Sequence, residues 1–298
     1  MSKPELSIVI ASCVGSPFID RCLESFHDQI AGKDIECIVV DRVGGAVAEH
    51  IKETFPWVAL ESRDAKESVP DLRRWGIQQA KADYVAIIEE HCVAKEDWIE
   101  TILNEISGAA AVVGGVVDDA GYDRLMDWAV YFTEYNSYMP PAEAGKTEDV
   151  CAANCVYRRD LLLEHLPDRG SGYWEAGLNH KLLSIGENFR LNPELVVYHT
   201  GPFGFFYYLN QRFLFSRAFA GTRREQVSIV YRAAYIILSP LIAPLLWFRT
   251  ASRVFKKKRR IGKFLLVTPL MVPITGTYVL GECVGFLAGR GNSLEKIE

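Results

Sequence analysis

The chain has 298 residues, of which 49% are hydrophobic and 24% charged, a composition typical of a globular body with one substantial core and an appendage. Its formal net charge of −5 is unevenly distributed: residues 199–298 carry 15 Lys and Arg against 4 Asp and Glu, which leaves residues 1–198 at −16. The basic side chains neighbour long apolar runs, which favours contact with an anionic membrane surface and argues against a nucleic-acid-binding protein.

Seven cysteines are scattered along the chain without the paired spacing of a disulfide framework. We therefore expect reduced thiols and a cytosolic body. The N-terminus has no apolar signal-peptide core, which favours the same compartment.

Short apolar strands alternate with amphipathic helices through the first two hundred residues. In chain order the predicted elements are strand 6–12, helix 17–26, strand 35–41, helix 47–55, strand 57–61, helix 69–80, strand 84–88, helix 97–106, strand 110–117, strand 150–157, helix 159–165, a helix from 175, and strand 189–199. This alternation predicts an α/β fold with a mostly parallel, Rossmann-like sheet and flanking helices.

The segment 119–141 has a weaker pattern and many aromatic residues. One interpretation is a helix and a loop over the mouth of a pocket. The other is an aromatic-rich core helix that contains Trp128 and Phe132.

Polar side chains end several of the predicted strands. Asp41 ends the second strand, and Glu89, Glu90 and His91 directly follow the strand 84–88. Ligands of open α/β sheets bind in the crevice at the carboxyl ends of the strands, and carboxylate and imidazole groups suit divalent ions such as Mn²⁺. The pattern favours a ligand and metal site there. The alternatives are a solvated acidic turn after 84–88 and, for Asp41, a cap on the next helix.

The composition changes after residue 202. Residues 203–219 mix arginines with aromatic side chains, as in helices at a membrane–water interface. Two apolar stretches follow, 227–248 and 264–288, and the segment between them holds eight basic residues and no acid. We therefore predict a first domain over 1–205 and a membrane-associated region over 206–298.

The basic segment limits how the stretch 227–248 can be arranged in the membrane. If the body is cytosolic and 227–248 spans the membrane once, the basic residues lie outside, against the positive-inside tendency. We therefore expect this stretch to turn back at Pro240 and Pro244 or to lie in the membrane plane. The alternative is an ordinary spanning hairpin.

The order of these motifs resembles the inverting, family-two glycosyltransferases with a GT-A fold, over about residues 5–220. Residues 7–10 and 38–41 resemble the first two strands of that family, and residues 72–77 resemble its Ala-Arg-Asn-x-Gly-Ile helix. Residues 83–91 resemble the strand that leads to its Asp-x-Asp motif. Residues 68–70 together with 90–92 resemble a bacterial, membrane-associated subgroup.

The resemblance implies transfer of a sugar from a nucleotide-sugar donor to an acceptor, here a lipid or glycolipid, at the cytoplasmic face of the membrane. It implies a divalent cofactor, Mn²⁺ or Mg²⁺. The residues it implicates are Ser12, Asp41, Arg73 and Glu89 for the nucleotide, Glu89, His91 and His199 for the metal, Glu175 as general base, and Asn154 and Trp174 for the acceptor pocket. Glu90 is expected to assist at the metal.

The chain also departs from that family. The Asp-x-Asp motif is replaced by Glu89-x-His91, and the usual Glu-Asp pair is reduced to Glu175 alone. Residues 211–212 lack the tryptophan of processive synthases, so we expect a non-processive enzyme. Two alternatives remain open: a non-catalytic scaffold that binds nucleotide sugar or lipid, and a nucleotidyltransferase on the same sheet.

Overall fold

The computed structural model describes residues 3–108, 110–171 and 174–298, without the side chain of Trp174. The strands are β1 (Leu6–Ser12), β2 (Ile35–Asp41), β3 (Val58–Ser62), β4 (Tyr84–Ile88), β5 (Cys92–Ala94), β6 (Val112–Asp119), β7 (Gly145–Thr147), β8 (Asn154–Arg158) and β9 (Phe189–His199). The helices are α1 (Phe18–Ile30), α2 (Gly45–Thr54), α3 (Val69–Gln79), α4 (Trp98–Ile106), α5 (Leu125–Glu134), α6 (Arg159–His165), α7 (Trp174–Ser184), α8 (Phe205–Arg223), α9 (Ile229–Lys257) and α10 (Ile261–Ala288).

The described residues form two compact units. The first unit comprises 3–108, 110–120, 138–170 and 174–200, and the second comprises 121–137 and 201–298 with residue 171. The second unit therefore begins close to the predicted boundary at 205. It also includes α5, which the sequence analysis placed in the first domain.

The first unit is built on a mixed sheet with the strand order β3-β2-β1-β4-β8-β6-β9-β5, in which β7 pairs with β9. The strands β3, β2, β1 and β4 are parallel, as the βαβ pattern predicts. Beyond them β8 runs antiparallel to both β4 and β6, while β6 and β9 are parallel. A buried apolar strand has the same sequence pattern whether it runs parallel or antiparallel to its neighbours. The βαβ pattern therefore predicted the parallel strands β1 to β4 but not the direction of β8.

The sheet is covered on both faces. In β1, Val9 and Ala11 belong to an apolar cluster with side chains of α3, α6 and α7, while Ile8 and Ile10 on the other face are also fully buried. Gly76 lets α3 approach the sheet closely, because a Cβ there would collide with Val9. This close packing fixes α3 against the strands whose ends form the site below.

The second unit contains a hairpin of two long helices. α9 continues through its internal prolines, and the chain reverses only at residues 258–260, where Lys258 and Arg260 have φ of 53° and 56°. The expectation that 227–248 turns back at Pro240 and Pro244 is therefore wrong. Both helices are long and apolar enough to cross a membrane.

Helix α5 is the aromatic segment for which the sequence left two interpretations. Its residues Trp128, Tyr131 and Phe132 are buried, and the ring of Phe132 packs edge-on against Phe264 of α10 at 5.4 Å between centroids. Within the second unit α5 is thus an aromatic core helix.

Candidate active site

The carboxyl ends of three parallel strands meet at one edge of the first unit. Ser12 ends β1 and pairs in register with Asp41 at the end of β2, while β4 lies on the other side of β1 and leads directly to Glu89. The chain adds β2 and β3 on one side of β1 and then crosses to add β4 on its other side. Such switch points form the ligand crevice of open α/β sheets.

Arg73 is a buried cation at this edge, with 4% of its surface exposed. Its guanidinium donates to Glu89 Oε1 at 3.0 Å and to the carboxylate of Glu175. Burial by itself lowers the pKa of Arg73, but the two carboxylates raise it above its ordinary value, so the side chain stays charged. One cation thus joins the end of β4 to the start of α7.

Glu175 lies in the first turn of α7, where the helix dipole favours a carboxylate. The helix is held to the core by Leu178 and Leu182, which are buried. The Tyr157 hydroxyl also donates to Asn179 Oδ1 at 2.8 Å. The position of Glu175 therefore follows from the packing of the whole helix.

Helix α3 and Glu67, which precedes it, hold the chain segment 167–170 before α7. Arg74 Nε donates to the Pro167 carbonyl at 3.3 Å, Arg169 pairs with Glu67, and the Gly170 amide donates to Asp71 Oδ1 at 2.9 Å. The start of α3 is itself fixed by a hydrogen bond from the Ser68 hydroxyl to Asp71 Oδ2 at 2.5 Å. Thus one helix positions both the loop and, through Arg73, the carboxylate that follows it.

The carboxylate of Glu90 lies against the loop that follows β1. Its carboxylate accepts the backbone amides of Cys13, Val14 and Gly15 at 2.8, 2.9 and 3.0 Å, and it fixes the loop after β1. Burial raises the pKa of Glu90 above its ordinary value, while His91 and the three amides lower it in part. Both oxygens accept backbone amides, and the expected assistance at a metal stays a prediction.

His91 and His199 lie near each other, with ring centroids 6.4 Å apart. The backbone amide and the hydroxyl of Thr200 both donate to the His91 carbonyl at 2.8 Å, which joins the two chain segments. Burial, with His91 as a second cause and Glu89 opposing, lowers the pKa of His199 to about 3, so its imidazole is neutral. A neutral imidazole is the form that binds metals.

The predicted metal ligands do not form a complete centre. In the described parts of the chain no three His, Cys, Asp or Glu side chains converge closely enough to hold an ion. The Glu89 carboxylate accepts a hydrogen bond from Arg73 instead. The donor types suit Mn²⁺ or Mg²⁺, but the geometry of these side chains alone does not.

Asp41 stabilises the turn before α2 and not the helix end itself, since Gly44 is at the N-cap and α2 has no side-chain capping hydrogen bond among the described residues. Its carboxylate oxygens accept the amides of Val43 at 3.2 Å and Gly44 at 2.7 Å, just before α2. Beside it, the Ser12 hydroxyl is buried and has no hydrogen-bond partner among the residues that the structure describes. Both lie where a nucleotide contact was predicted, and that contact stays a prediction.

The side chain of Asn154 is buried and fully hydrogen-bonded. Its side-chain amide donates to the carbonyls of Val116 and Leu195, both at 2.9 Å, and its oxygen accepts the indole N–H of Trp98 at 2.9 Å. Since all these bonds are buried, Asn154 joins strands inside the sheet, and its predicted acceptor role stays a prediction. The side chain of Trp174, the other predicted acceptor residue, lies outside the described residues.

The anchoring roles of Glu67, Asp71 and Glu90 were not predicted from the sequence. The spacing of Ser68 and Asp71 is a capping signal and could have marked the start of α3. No local pattern shows that Asp71 also binds a backbone amide 99 residues away. The contacts of Glu90 likewise could not be predicted from a local pattern, because they depend on β1 and β4 being neighbours in the sheet.

The sequence matches the model of a family described as glycosyl transferase family 2 over residues 7–166. No curated protein matches it. Among solved structures, the chain is similar to the mannosyltransferase PcManGT from Pyrobaculum calidifontis in complex with GDP-Man and Mn²⁺, with 15% identity and a TM-score of 0.60 over 97% of this chain and 88% of that one.

It is also similar to S. aureus TarS (residues 1–349), with 12% identity and a TM-score of 0.54 over 94% of this chain and 90% of that one. TarS in complex with UDP-GlcNAc gives 12% identity and a TM-score of 0.53 over 96% and 92%. At these identities the likeness concerns the fold alone. It agrees with the α/β sheet and flanking helices described above.

Proposed function

Because the chain belongs to glycosyl transferase family 2, we propose that it transfers a sugar from a nucleotide-sugar donor to an acceptor hydroxyl with inversion at the sugar carbon. The family and the GT-A fold make it a glycosyltransferase. The donor, the acceptor and the stereochemistry are the proposed parts.

The observation that carries the proposal is the convergence of Glu175 and Glu89 on Arg73 at the carboxyl edge of the sheet. Sugar transfer needs a positive charge near the departing diphosphate, and it needs a carboxylate near the acceptor hydroxyl to take its proton. The carboxylate of Glu175 and the guanidinium of Arg73 are adjacent, and the cation is buried. One cluster thus contains both the cation and the carboxylate that the reaction uses.

Glu175 acts as the general base in this proposal. Its carboxylate takes the proton of the acceptor hydroxyl, whose oxygen then forms a bond to the anomeric carbon. The bond from that carbon to the diphosphate oxygen breaks, and the nucleoside diphosphate leaves with the electron pair. Arg73 stabilises the negative charge that develops on the leaving group.

A divalent cation, Mn²⁺ or Mg²⁺, is a further part of the proposal. Its support is the PcManGT structure in complex with Mn²⁺ and the donor chemistry of Glu89, His91 and His199. When bound, the ion would neutralise charge on the diphosphate, whose oxygens would complete its coordination. The steps above depend only on the protein's own side chains.

The acceptor is proposed to be a lipid or glycolipid, and the transfer to occur at the cytoplasmic membrane face. The support is the two long apolar helices of the second unit and the basic segment between them. The corresponding division is a catalytic domain over 1–205, in which Ser12 and Asp41 contact the nucleotide, and a membrane-associated region over 206–298.

Product analysis tests the proposed function. The purified full-length chain is incubated with GDP-mannose or UDP-GlcNAc and a lipid extract, with Mn²⁺ or with EDTA. We expect release of the nucleoside diphosphate and an acceptor with the opposite anomeric configuration from the donor. Pyrophosphate release would indicate a nucleotidyltransferase, and binding without turnover a scaffold. Full activity in EDTA would remove the metal from the proposal.

A further inference from the structure

The long helices α9 and α10 expose many large apolar side chains. In α9 none of the residues 229–249 is buried; each is exposed or half-buried. The exposed apolar residues of the two helices are Ile229, Val230, Tyr231, Ile237, Leu238, Leu241, Leu245, Phe248, Phe255, Leu265, Leu266, Val272, Leu280 and Leu287, which we call the apolar face. Proteins in water rarely expose so large an apolar area, so the apolar face needs a partner.

The other side of α10 is covered by α5 and α8 along most of its length. Near its start, Phe264 packs against Phe132 of α5. Near its end, a Cβ on Gly285 would lie 2.9 Å from Cβ of Ala220 in α8. From Phe264 to Phe286, both buried, the helix rises by roughly 33 Å, about the thickness of the hydrocarbon core of a bilayer.

The covering helices carry charged side chains. Arg212 of α8 donates to Glu134 of α5 at 2.7 Å, and Arg223 of α8 donates to Glu282 of α10 at 3.0 Å. If α10 crossed a bilayer, α5 and α8 would lie at hydrocarbon depth with it. Charged groups and the non-helical backbone at the helix ends are costly there. The packing therefore disfavours a crossing.

The turn between the two helices is strongly basic. Residues 256–260 are all Lys or Arg, and we call them the basic turn. The guanidinium of Arg260 lies 5.2 Å from the ring centroid of Trp128, so this turn is held beside α5. Clustered cations next to an apolar surface complement the headgroups of anionic phospholipids.

We infer that the α9–α10 hairpin lies in the plane of the membrane, with the apolar face inserted into one leaflet of an anionic phospholipid bilayer and the basic turn at its headgroups. The inference deepens the membrane association proposed above and rests on it. Insertion into one leaflet places the apolar face in the hydrocarbon. The charged helices α5 and α8, on the other side of α10, then stay in water.

Cysteine labelling in sealed cells tests the topology. Single cysteines replace Lys258 in the basic turn and Asn292 beyond α10, in a C283S background, since the other native cysteines are buried. We expect a membrane-impermeant maleimide to reach both positions from the same side, and a cysteine at Leu241 to be protected from both sides. Labelling of K258C and N292C from opposite sides would show a spanning hairpin and overturn the inference.

Vesicle flotation of the full-length protein tests the lipid chemistry. We expect L241D and the triple variant K256A/K257A/K258A to lower binding to vesicles that contain phosphatidylglycerol, the latter by about 100-fold. The matched controls are L163D and K33A/K52A/K66A, exposed positions of the first unit. Equal binding by the variants and their controls would contradict the inference.

Donor hydrolysis in detergent is measured on the same preparations. It separates the two proposals, because the basic turn and the apolar face contain none of the residues assigned to the reaction. Loss of flotation with retained hydrolysis supports the membrane surface. Absence of hydrolysis in every preparation counts against the proposed transfer alone.

Discussion

Arg73 and Glu175 form an ion pair although 102 residues separate them in the sequence. The guanidinium is buried in α3, and the carboxylate lies in the first turn of α7. The same guanidinium binds Glu89 after β4. Three segments that are distant in the sequence therefore meet at the guanidinium of Arg73.

The general-base assignment predicts that E175Q loses transfer but keeps the donor. The amide cannot accept the acceptor's proton, so we expect kcat to fall by about 10³-fold with little change in donor affinity. Turnover assays and calorimetric titration with nucleotide sugar measure the two effects. E164Q, at an exposed position, is the control and should retain kcat. Near-normal turnover by E175Q would remove Glu175 from the mechanism.

Removal of the buried cation should cost stability as well as activity. In R73A the carboxylates of Glu175 and Glu89 lose the guanidinium that binds them, and we expect the free energy of unfolding to fall by about 2–3 kcal/mol. R190A removes an exposed arginine and should change it by less than about 0.5 kcal/mol. A double-mutant cycle with E175Q, followed by denaturant titration, isolates the pair. A coupling energy near zero would contradict the ion pair.

Glu90 should control the loop after β1. In E90A the amides of Cys13, Val14 and Gly15 lose their common acceptor, so we expect affinity for a nucleoside diphosphate to fall by about tenfold or more. Titration calorimetry measures the affinity, and hydrogen exchange of residues 13–15 measures the loop. E96A, at an exposed position, is the control. Unchanged exchange in E90A would show that the carboxylate does not hold the loop.

Because its thiols are buried, we expect the folded protein to lose stability at alkaline pH. Burial raises the pKa of Cys155 from 9.0 to about 12. Between these values the unfolded chain loses the thiol proton while the folded chain keeps it, so stability falls as pH rises. Relative to C155A, the parent should lose about 1 kcal/mol more between pH 8 and pH 10, measured by urea unfolding. C283S, at a partly exposed position, should follow the parent. Parallel pH curves for the parent and C155A would contradict the prediction.

Two glycines of α10 should respond oppositely to alanine. A Cβ on Gly285 would lie 2.5 Å from the Arg217 carbonyl oxygen, whereas Gly276 has no neighbour within 4 Å. We expect G285A to lower the free energy of unfolding by about 1–3 kcal/mol through overpacking. G276A should raise it by about 0.5–1 kcal/mol through helix propensity. Thermal unfolding in detergent measures both, and equal effects would contradict the close packing of α8 on α10.

Much of the site's location was predictable from the sequence. Asp41 and Glu89 follow apolar runs, and parallel strands bring their carboxyl ends to one edge. The roles of Glu90 and Asn154 were not predictable in the same way. Their partners lie on other strands or loops, and a polar residue beside a buried strand has the same local pattern whether it binds a ligand or a backbone amide.

The order of strands and helices in the first unit, the acidic body and the basic, apolar tail were determined by the sequence itself, because hydrophobic periodicity and charge are local properties. The tertiary structure alone decided that Arg73 joins Glu89 to Glu175, that Glu90 binds the β1 loop, and that α5 belongs with the C-terminal helices. Those contacts depend on which distant segments pack together, and packing is a property of the whole chain rather than of any one stretch.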